Sequence, residues 1–206
     1  MWKLLGIQGA FLVLLWNHVA VGVLAAPYNQ SAVVLAVFSK KGHSSSELAK
    51  GKFLIAREQL NDPNFSRSVV LLIEYDAHST VGLVINRPTD VQLAKLWPTI
   101  KGVQQHQDPL FLGGPVARGQ ILLLVQSDQA PENTIHVFEN IYVSSSRHVL
   151  EQMIVQSTSR HGNTFRVYAG YAGWAPGQLE KEVLRGDWDV LKADASSIFR
   201  DYQSND

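Results

Sequence analysis

The 206-residue chain contains no cysteine, which removes disulfide frameworks, thiolate metal sites and cysteine nucleophiles together. A lipoprotein-type anchor, attached through a cysteine at the cleavage point, goes with them. Charge of one sign is not in excess either: 18 Lys and Arg balance 18 Asp and Glu, so no global field draws in nucleic acid or an anionic membrane surface. No helix-turn-helix pattern or basic recognition helix compensates, and nucleic acid is disfavoured as a partner. The commonest catalytic signatures are missing as well: there is no GxGxxG after a strand pattern, no HExxH and no GxSxG. Gly113-Gly114-Pro115 lacks the Gly-Lys-Ser/Thr that places a lysine and a metal-binding hydroxyl beside phosphates, so it reads as a tight turn. No cofactor and no metal are expected.

What is present describes a compact globular chain, with 46% hydrophobic and 17% charged residues. Its N-terminus carries an address. Lys3 gives a short positive start, Gly9 to Trp16 is an uninterrupted apolar run, and Val23-Leu24-Ala25 supplies the small-residue pattern of a cleavage site. Residues 1–25 therefore read as a secretory signal, and a periplasmic or exported location follows. Residues 4–26 are also long enough to anchor the chain in a membrane, although Gln8, Asn17 and His18 interrupt them. Membrane-anchored and cytoplasmic locations are the alternatives. Residues 26–50 read as a linker in which His43 stands among serines with no partner ligand at a useful spacing, 51–202 as one domain, and 203–206 as a tail.

Within the domain, Phe53 to Ala56, Ser68 to Glu74 and Gly82 to Asn86 have the length and β-branched content of strands, with Asp62-Pro63-Asn64 as turn chemistry. Thr89 is placed to cap a helix running to about Trp97, with Asp90 in its first turn. Ile121 to Gln126 is a further strand, and His136 to Val143 a hairpin turning near Glu139-Asn140. Val149, Leu150, Met153 and Ile154 form one apolar helical face behind cap candidates Ser144 to Ser146. Phe165 to Tyr171 returns as a strand, after which Pro176 and Glu180 open a short helix ending near Gly186. Strands outnumber helices without strict βαβ alternation, so the class is α+β with a mixed sheet in a single domain.

Several constellations invite chemistry. His136/Glu139 and His148/Glu151 share His-x-x-Glu spacing, but a metal would need a ligand from elsewhere, and a solvated face is the favoured reading. Arg67, Arg87 and Arg118 each follow turn-like segments and could converge on an anion, with structural ion pairing as the favoured alternative. The stretch from Gly170 through Gly173-Trp174 to the Pro-Gly helix start needs glycine where the chain bends or approaches another element. The free N–H groups of that helix start could hold an anion; packing, with Trp174 and Trp188 clamping the helix onto the sheet, is the favoured role.

Four segments in order, "GKFLIAREQLNDPNFSRSVVLLIEYD" (51 to 76), "GLVINRPTD" (82 to 90), "FLGGPV" (111 to 116) and "GYAGWAPGQLEKEVLRGDW" (170 to 188), strongly resemble the YqgE/AlgH family of bacterial proteins. The match covers nearly all of residues 51 to 200. The resemblance implies a mixed sheet that curls toward a barrel-like form, and a regulatory label without catalytic residues to carry over. Two departures stand out. Members commonly lack an export signal, and they often carry glycine in the turn before GLVINRP, where this chain has His78-Ser79-Thr80.

The leading expectation is a non-catalytic binding or regulatory module, exported or tethered, for a small ligand or protein partner. Its surface would combine Asn86, Arg87 and Pro88 with Gly113, Gly114 and Pro115 and with Gly173 and Trp174, all at strand ends where loops carry function. The first alternative is a metal-independent hydrolase or transferase using Asp62, Asn86 or Arg87 with Ser66 or Ser68 as nucleophile. A cytoplasmic, transcription-linked regulator is the third option.

Overall fold

A computed structural model describes residues 47–157 and 165–199. The signal and most of the linker fall outside them, as does the tail. Among the described residues ten strands form one sheet: β1 (Lys52–Ala56), β2 (Val69–Tyr75), β3 (Thr80–Val84), β4 (Pro88–Gln92), β5 (Pro109–Leu112), β6 (Val116–Gln126), β7 (Ile135–Phe138), β8 (Ile141–Ser144), β9 (Phe165–Trp174) and β10 (Trp188–Lys192). Their order is β10-β1-β2-β3-β9-β6-β8-β7, with β5 added beside β9 and β4 beside β5. Every pairing is antiparallel except β5 with β9, so the sheet is mixed. Among the described residues four α-helices accompany it: α1 (Leu93–Leu96), α2 (Arg147–Ser157), α3 (Gln178–Arg185) and α4 (Ala195–Ile198).

Near-continuous apolar runs build the central strands, and successive residues cover opposite faces of the sheet. Phe53 and Ile55 of β1, Val69, Leu71 and Ile73 of β2, and Leu122 and Leu124 of β6 share one core with Tyr168, Val137, Ile141 and Val143. Their neighbours point the other way. Leu54, Val70 and Leu72 pack under α3 with Trp174, Leu179 and Trp188, whereas Leu123 and Val125 pack under α1 and α2 with Leu93, Val149 and Phe165. The first core is enclosed because the sheet curls until β7 approaches the start of β1. There Lys50 Nζ donates to the His136 carbonyl at 2.9 Å, and Phe138 lies so close that a Cβ at Gly51 would be 2.7 Å from its own. The result is a half-barrel in a single α+β domain. Its packing reaches back to Leu48, which lies against the core beneath α3.

β9 serves both outer cores because its face parity changes at Gly170. Phe165, Val167 and Ala169 face the core under α2, but Ala172 and Trp174 face the one under α3. In a period-two strand, odd and even positions exchange faces only where a residue leaves the pleat. Gly170 has φ +71°, and a Cβ there would lie 2.7 Å from the Val116 carbonyl oxygen and 2.9 Å from that of Gly114. Only glycine meets both demands.

Two expectations need correction. Thr89 does not cap a helix: it is buried in β4, where its Oγ1 donates to the Leu110 carbonyl at 2.8 Å and accepts from the Val91 N–H. Pairing with β5, registered as Pro88 with Phe111 and Gln92 with Pro109, holds 88–92 extended. Helix α1 is confined to Leu93–Leu96, and Asp90 is exposed on a strand. The strand β10, in which buried Trp188 and Val190 alternate with Asp189 and Leu191, lies beyond the last expected element and pairs with β1 over its full length.

Candidate functional site

The Asn-Arg-Pro segment after β3 is taken up first by the loop between β1 and β2. Asn86 is buried; its Oδ1 accepts the Val69 N–H at 2.9 Å, and its Nδ2 donates to the Arg67 carbonyl at 3.0 Å. Both ends of the amide are thus spent on fixing the chain as it enters β2. Arg87, half-buried, donates from Nη1 to the Asn64 carbonyl at 2.6 Å and from Nη2 to the Ser66 carbonyl at 3.0 Å. Phe65, between those two residues, stacks on Trp174 with ring centroids 5.8 Å apart and meets Trp188 edge-on at 5.7 Å. The loop is therefore clamped from both sides.

Gly113 and Gly114 join Arg87 through the backbone. The Leu112 N–H donates to the Arg87 carbonyl at 2.8 Å, and the Val84 N–H donates to the Gly113 carbonyl at 2.8 Å. A Cβ on Gly113 would collide with the Gly170 carbonyl oxygen, and one on Gly114 with the Tyr171 carbonyl. The double glycine thus lets two backbones touch, as the tight-turn reading expects. Gly173 and Trp174 pair with the start of β3, Val81 with Gly173 and Thr80 with Trp174, whereas Asn86 and Arg87 follow its end. Gly173 nevertheless adjoins the double glycine, since a Cβ on Gly114 would lie 2.4 Å from the Ala172 N, and Trp174 reaches the Arg87 loop through Phe65. Trp174 is buried in the core beneath α3. The structure brings together Asn86, Arg87, Gly113 and Gly114, sets Gly173 beside the double glycine, and buries Trp174 as the support of the Arg87 loop and not as a surface residue.

Arg118, which the arginine spacing singled out, joins the first group. Between the pairs Val116–Tyr171 and Ile121–Ala169, β6 advances five residues while β9 advances two. The three extra residues form a bulge that pushes Ala117, Arg118 and Gly119 into solvent. The Arg118 Cα lies 3.1 Å from where a Gly170 Cβ would be, against the same crossing that seats Gly113. Arg87 is held below its ordinary guanidinium pKa chiefly by burial; the charge of Arg118 adds to that effect and Asp62 opposes it. Arg67 is exposed in a left-handed conformation, φ 56°, and is not among the charges acting on Arg87. Arg87 and Arg118 therefore flank one crossing, Arg118 through Gly170 and Arg87 through the Leu112 N–H that its carbonyl accepts. No single motif announces this, since the bulge in β6 is visible only in its register against β9.

The enzymatic candidates take other roles. Ser68 is fully buried and its Oγ donates to the Phe65 carbonyl at 2.6 Å. Asp62 accepts the Asn64 N–H at 2.7 Å and so shapes the loop. His136 Nε2 meets the Glu139 carbonyl, not its carboxylate, and Glu151 pairs with Arg147 at 2.8 Å instead of joining His148. Among the described residues no group of three or more His, Asp or Glu is placed to hold a metal ion. The His78-Ser79 turn is organised by Asp76, whose Oδ1 accepts both backbone N–H groups.

Residues 53–205 match the AlgH-like family, DUF179. The chain belongs to the AlgH-like family. A UPF0301 protein from Cronobacter sakazakii is 35% identical over 156 residues, covering 72% of this chain and 82% of the relative. Another from Marinomonas sp. (strain MWYL1) is 34% identical over 155 residues, covering 73% and 80%. Among solved structures, that of AlgH from Pseudomonas aeruginosa, determined in solution, has a TM-score of 0.60 at 30% identity, covering 77% of this chain and 84% of that one. A crystal structure of a Corynebacterium diphtheriae protein gives 0.61 at 25%, covering 79% and 84%. The AlgH-like assignment accounts for the half-barrel and for the order of the four sequence segments. No helix among the described residues is long and apolar enough to cross a membrane.

Proposed function

We propose that this AlgH-like chain is a non-catalytic binding module, exported or membrane-tethered, that engages an anionic ligand at the strand-end surface carrying Arg87 and Arg118. One observation carries the reading: the bulge that presents Arg118 lies against the Gly170 crossing that seats Gly113, and the Leu112 N–H beside it donates to the Arg87 carbonyl, so both arginines stand on one strand-end surface. Like charges held together by a fold are stabilised when an anion arrives between them. Binding suits the site better than hydrolysis, because Ser68 is buried with its hydroxyl spent on a carbonyl, the exposed Ser66 hydroxyl meets no base among the described residues, and an activated nucleophile needs a base in hydrogen-bond reach. The signal-like pattern of residues 1–25 supports export.

The test is a thermal-shift screen of small anions and neutral metabolites on the full chain, with turnover followed in parallel. Anionic hits that raise the midpoint in the wild type and not in Arg118→Glu, without product formation, support the reading. Turnover of an ester or group-transfer substrate would replace it with the enzymatic one. Fractionation with N-terminal sequencing completes the test: a product beginning at Ala26 supports export, a membrane-bound full-length chain supports tethering, and a full-length cytoplasmic chain restores the regulatory alternative.

A further inference from the structure

Arg87 and Arg118 differ in how they are held, and the difference narrows the ligand. A guanidinium has five N–H donors. Arg87 commits two of them, to the Asn64 and Ser66 carbonyls, so its plane is fixed and three remain (5 − 2). Arg118 makes no hydrogen bond or ion pair among the described residues, so it is free to close on whatever Arg87 orients. Among the described residues no carboxylate forms an ion pair with either arginine, and the Oδ1 of Asp62 is engaged by the Asn64 N–H. The Arg118 Cα packs at the Gly170 crossing that also seats Gly113, and the Leu112 N–H before it donates to the Arg87 carbonyl, so both arginines stand on one strand-end surface.

We propose that Arg87 and Arg118 together bind a phosphoryl group, a deepening that rests on the binding role proposed above. A carboxylate offers two oxygens and one charge, which a single arginine fork satisfies. A phosphate monoester carries about −1.5 to −2 charges at pH 7 and three acceptor oxygens. It can therefore take one edge from the fixed Arg87 and a second from the exposed Arg118. The supporting backbone is held in an unusual form on both sides of the pair. Arg67, whose carbonyl receives Asn86, has φ 56°, and Ala117, beside Arg118, has φ 46°. Non-glycine residues in this region store strain that surrounding structure must enforce, and such residues cluster at ligand sites. The phosphoryl group can belong to a soluble compound or to a lipid headgroup, since the recognised chemistry is the same.

The test uses the full chain at low ionic strength, where exposed charges are least screened. Inorganic phosphate, pyrophosphate and citrate are titrated by calorimetry. Vesicles of phosphatidylcholine, with and without phosphatidic acid, are tested by co-sedimentation. The expected result is saturable binding of phosphate or pyrophosphate, or of phosphatidic acid vesicles alone, weakened about tenfold in Arg118→Ala, the scale of one lost charge-assisted hydrogen bond. Binding to the soluble anions assigns a soluble ligand, and binding to phosphatidic acid vesicles alone assigns a headgroup. Arg118 is exposed, so Arg118→Ala keeps the wild-type thermal midpoint and its lost binding is not lost folding. Binding to none of these probes, equal binding of citrate, equal binding to phosphatidylcholine alone, or binding unchanged in Arg118→Ala overturns the proposal. An anionic screening hit that is lost in Arg118→Glu while phosphoryl probes fail overturns this proposal alone and leaves the binding role standing.

Discussion

Trp174 and Trp188 donate their indole N–H groups to the same carboxylate oxygen, Oε2 of Glu182, each at 2.9 Å. Both rings are 2% exposed and meet edge-to-face at 6.2 Å. Glu182 is thus the common acceptor that lets two large amphipathic rings be buried beneath α3 without stranding their donors. Gln178 Nε2 donates to its other oxygen at 2.9 Å. Glu182→Ala should cost about 2–4 kcal/mol, since a buried donor left unpaired costs about 1–3 kcal/mol. Glu182→Gln, which keeps one carbonyl acceptor, should cost less than Glu182→Ala. Urea unfolding followed by tryptophan fluorescence measures both, and equal losses would mean that shape rather than hydrogen bonding seats the rings.

Gly113 and Gly119 offer a matched pair. A methyl group on Gly113 meets the Gly170 carbonyl at the crossing of the 113–114 turn with β9, whereas nothing lies within 4 Å of one on Gly119. Gly113→Ala should destabilise by about 2 kcal/mol or more through overpacking, and Gly119→Ala by no more than about 0.5 kcal/mol. Thermal midpoints of the two variants decide it.

Asn86 and Arg87 should separate folding from binding. Asn86→Ala strands the Val69 N–H and the Arg67 carbonyl in a buried place, at about 1–3 kcal/mol. Asn86→Asp restores the acceptor toward Val69 and puts an oxygen against the Arg67 carbonyl, so it should not rescue stability. Arg87→Lys keeps the charge but cannot hold two carbonyls in a fixed plane. Its loop should loosen, and because Phe65 rests on Trp174 and Trp188, the tryptophan emission should shift without global unfolding.

Tyr75 ties β2 to α3 through its hydroxyl, which donates to Glu180 Oε1 at 2.7 Å. That hydrogen bond, with burial and the carboxylate charge behind it, raises the phenol above its ordinary value of 10.0. The folded state therefore holds the proton more tightly than the unfolded chain. The stabilisation is fully present below about pH 10 and is lost as the pH climbs through the raised value. The stability difference between wild type and Tyr75→Phe should stay constant from about pH 7 to 9 and shrink above 10. A difference that persists at high pH would show that packing of the ring, not the hydroxyl, supplies it.

Local pattern decided a good deal of this molecule. Short apolar runs in 53–56, 68–74 and 121–126 mark strands buried on both faces, and the hairpin at Glu139-Asn140 and the helix around Val149 to Ile154 follow from turn chemistry and helical spacing. The four segments that carry the family likeness are legible without coordinates. Thr89 was misleading for a physical reason: a capping residue before an apolar run also suits an edge strand, and pairing with β5 outweighed its local preference. The candidate site depended on tertiary contacts. Arg87 reaches carbonyls 21 and 23 residues away, Tyr75 reaches a carboxylate 105 residues away, and Arg118 is presented by a bulge defined only against β9. Sequence spacing reports which face of an element is apolar, but the partners of a polar side chain depend on how distant strands register. That register is set by the whole sheet at once.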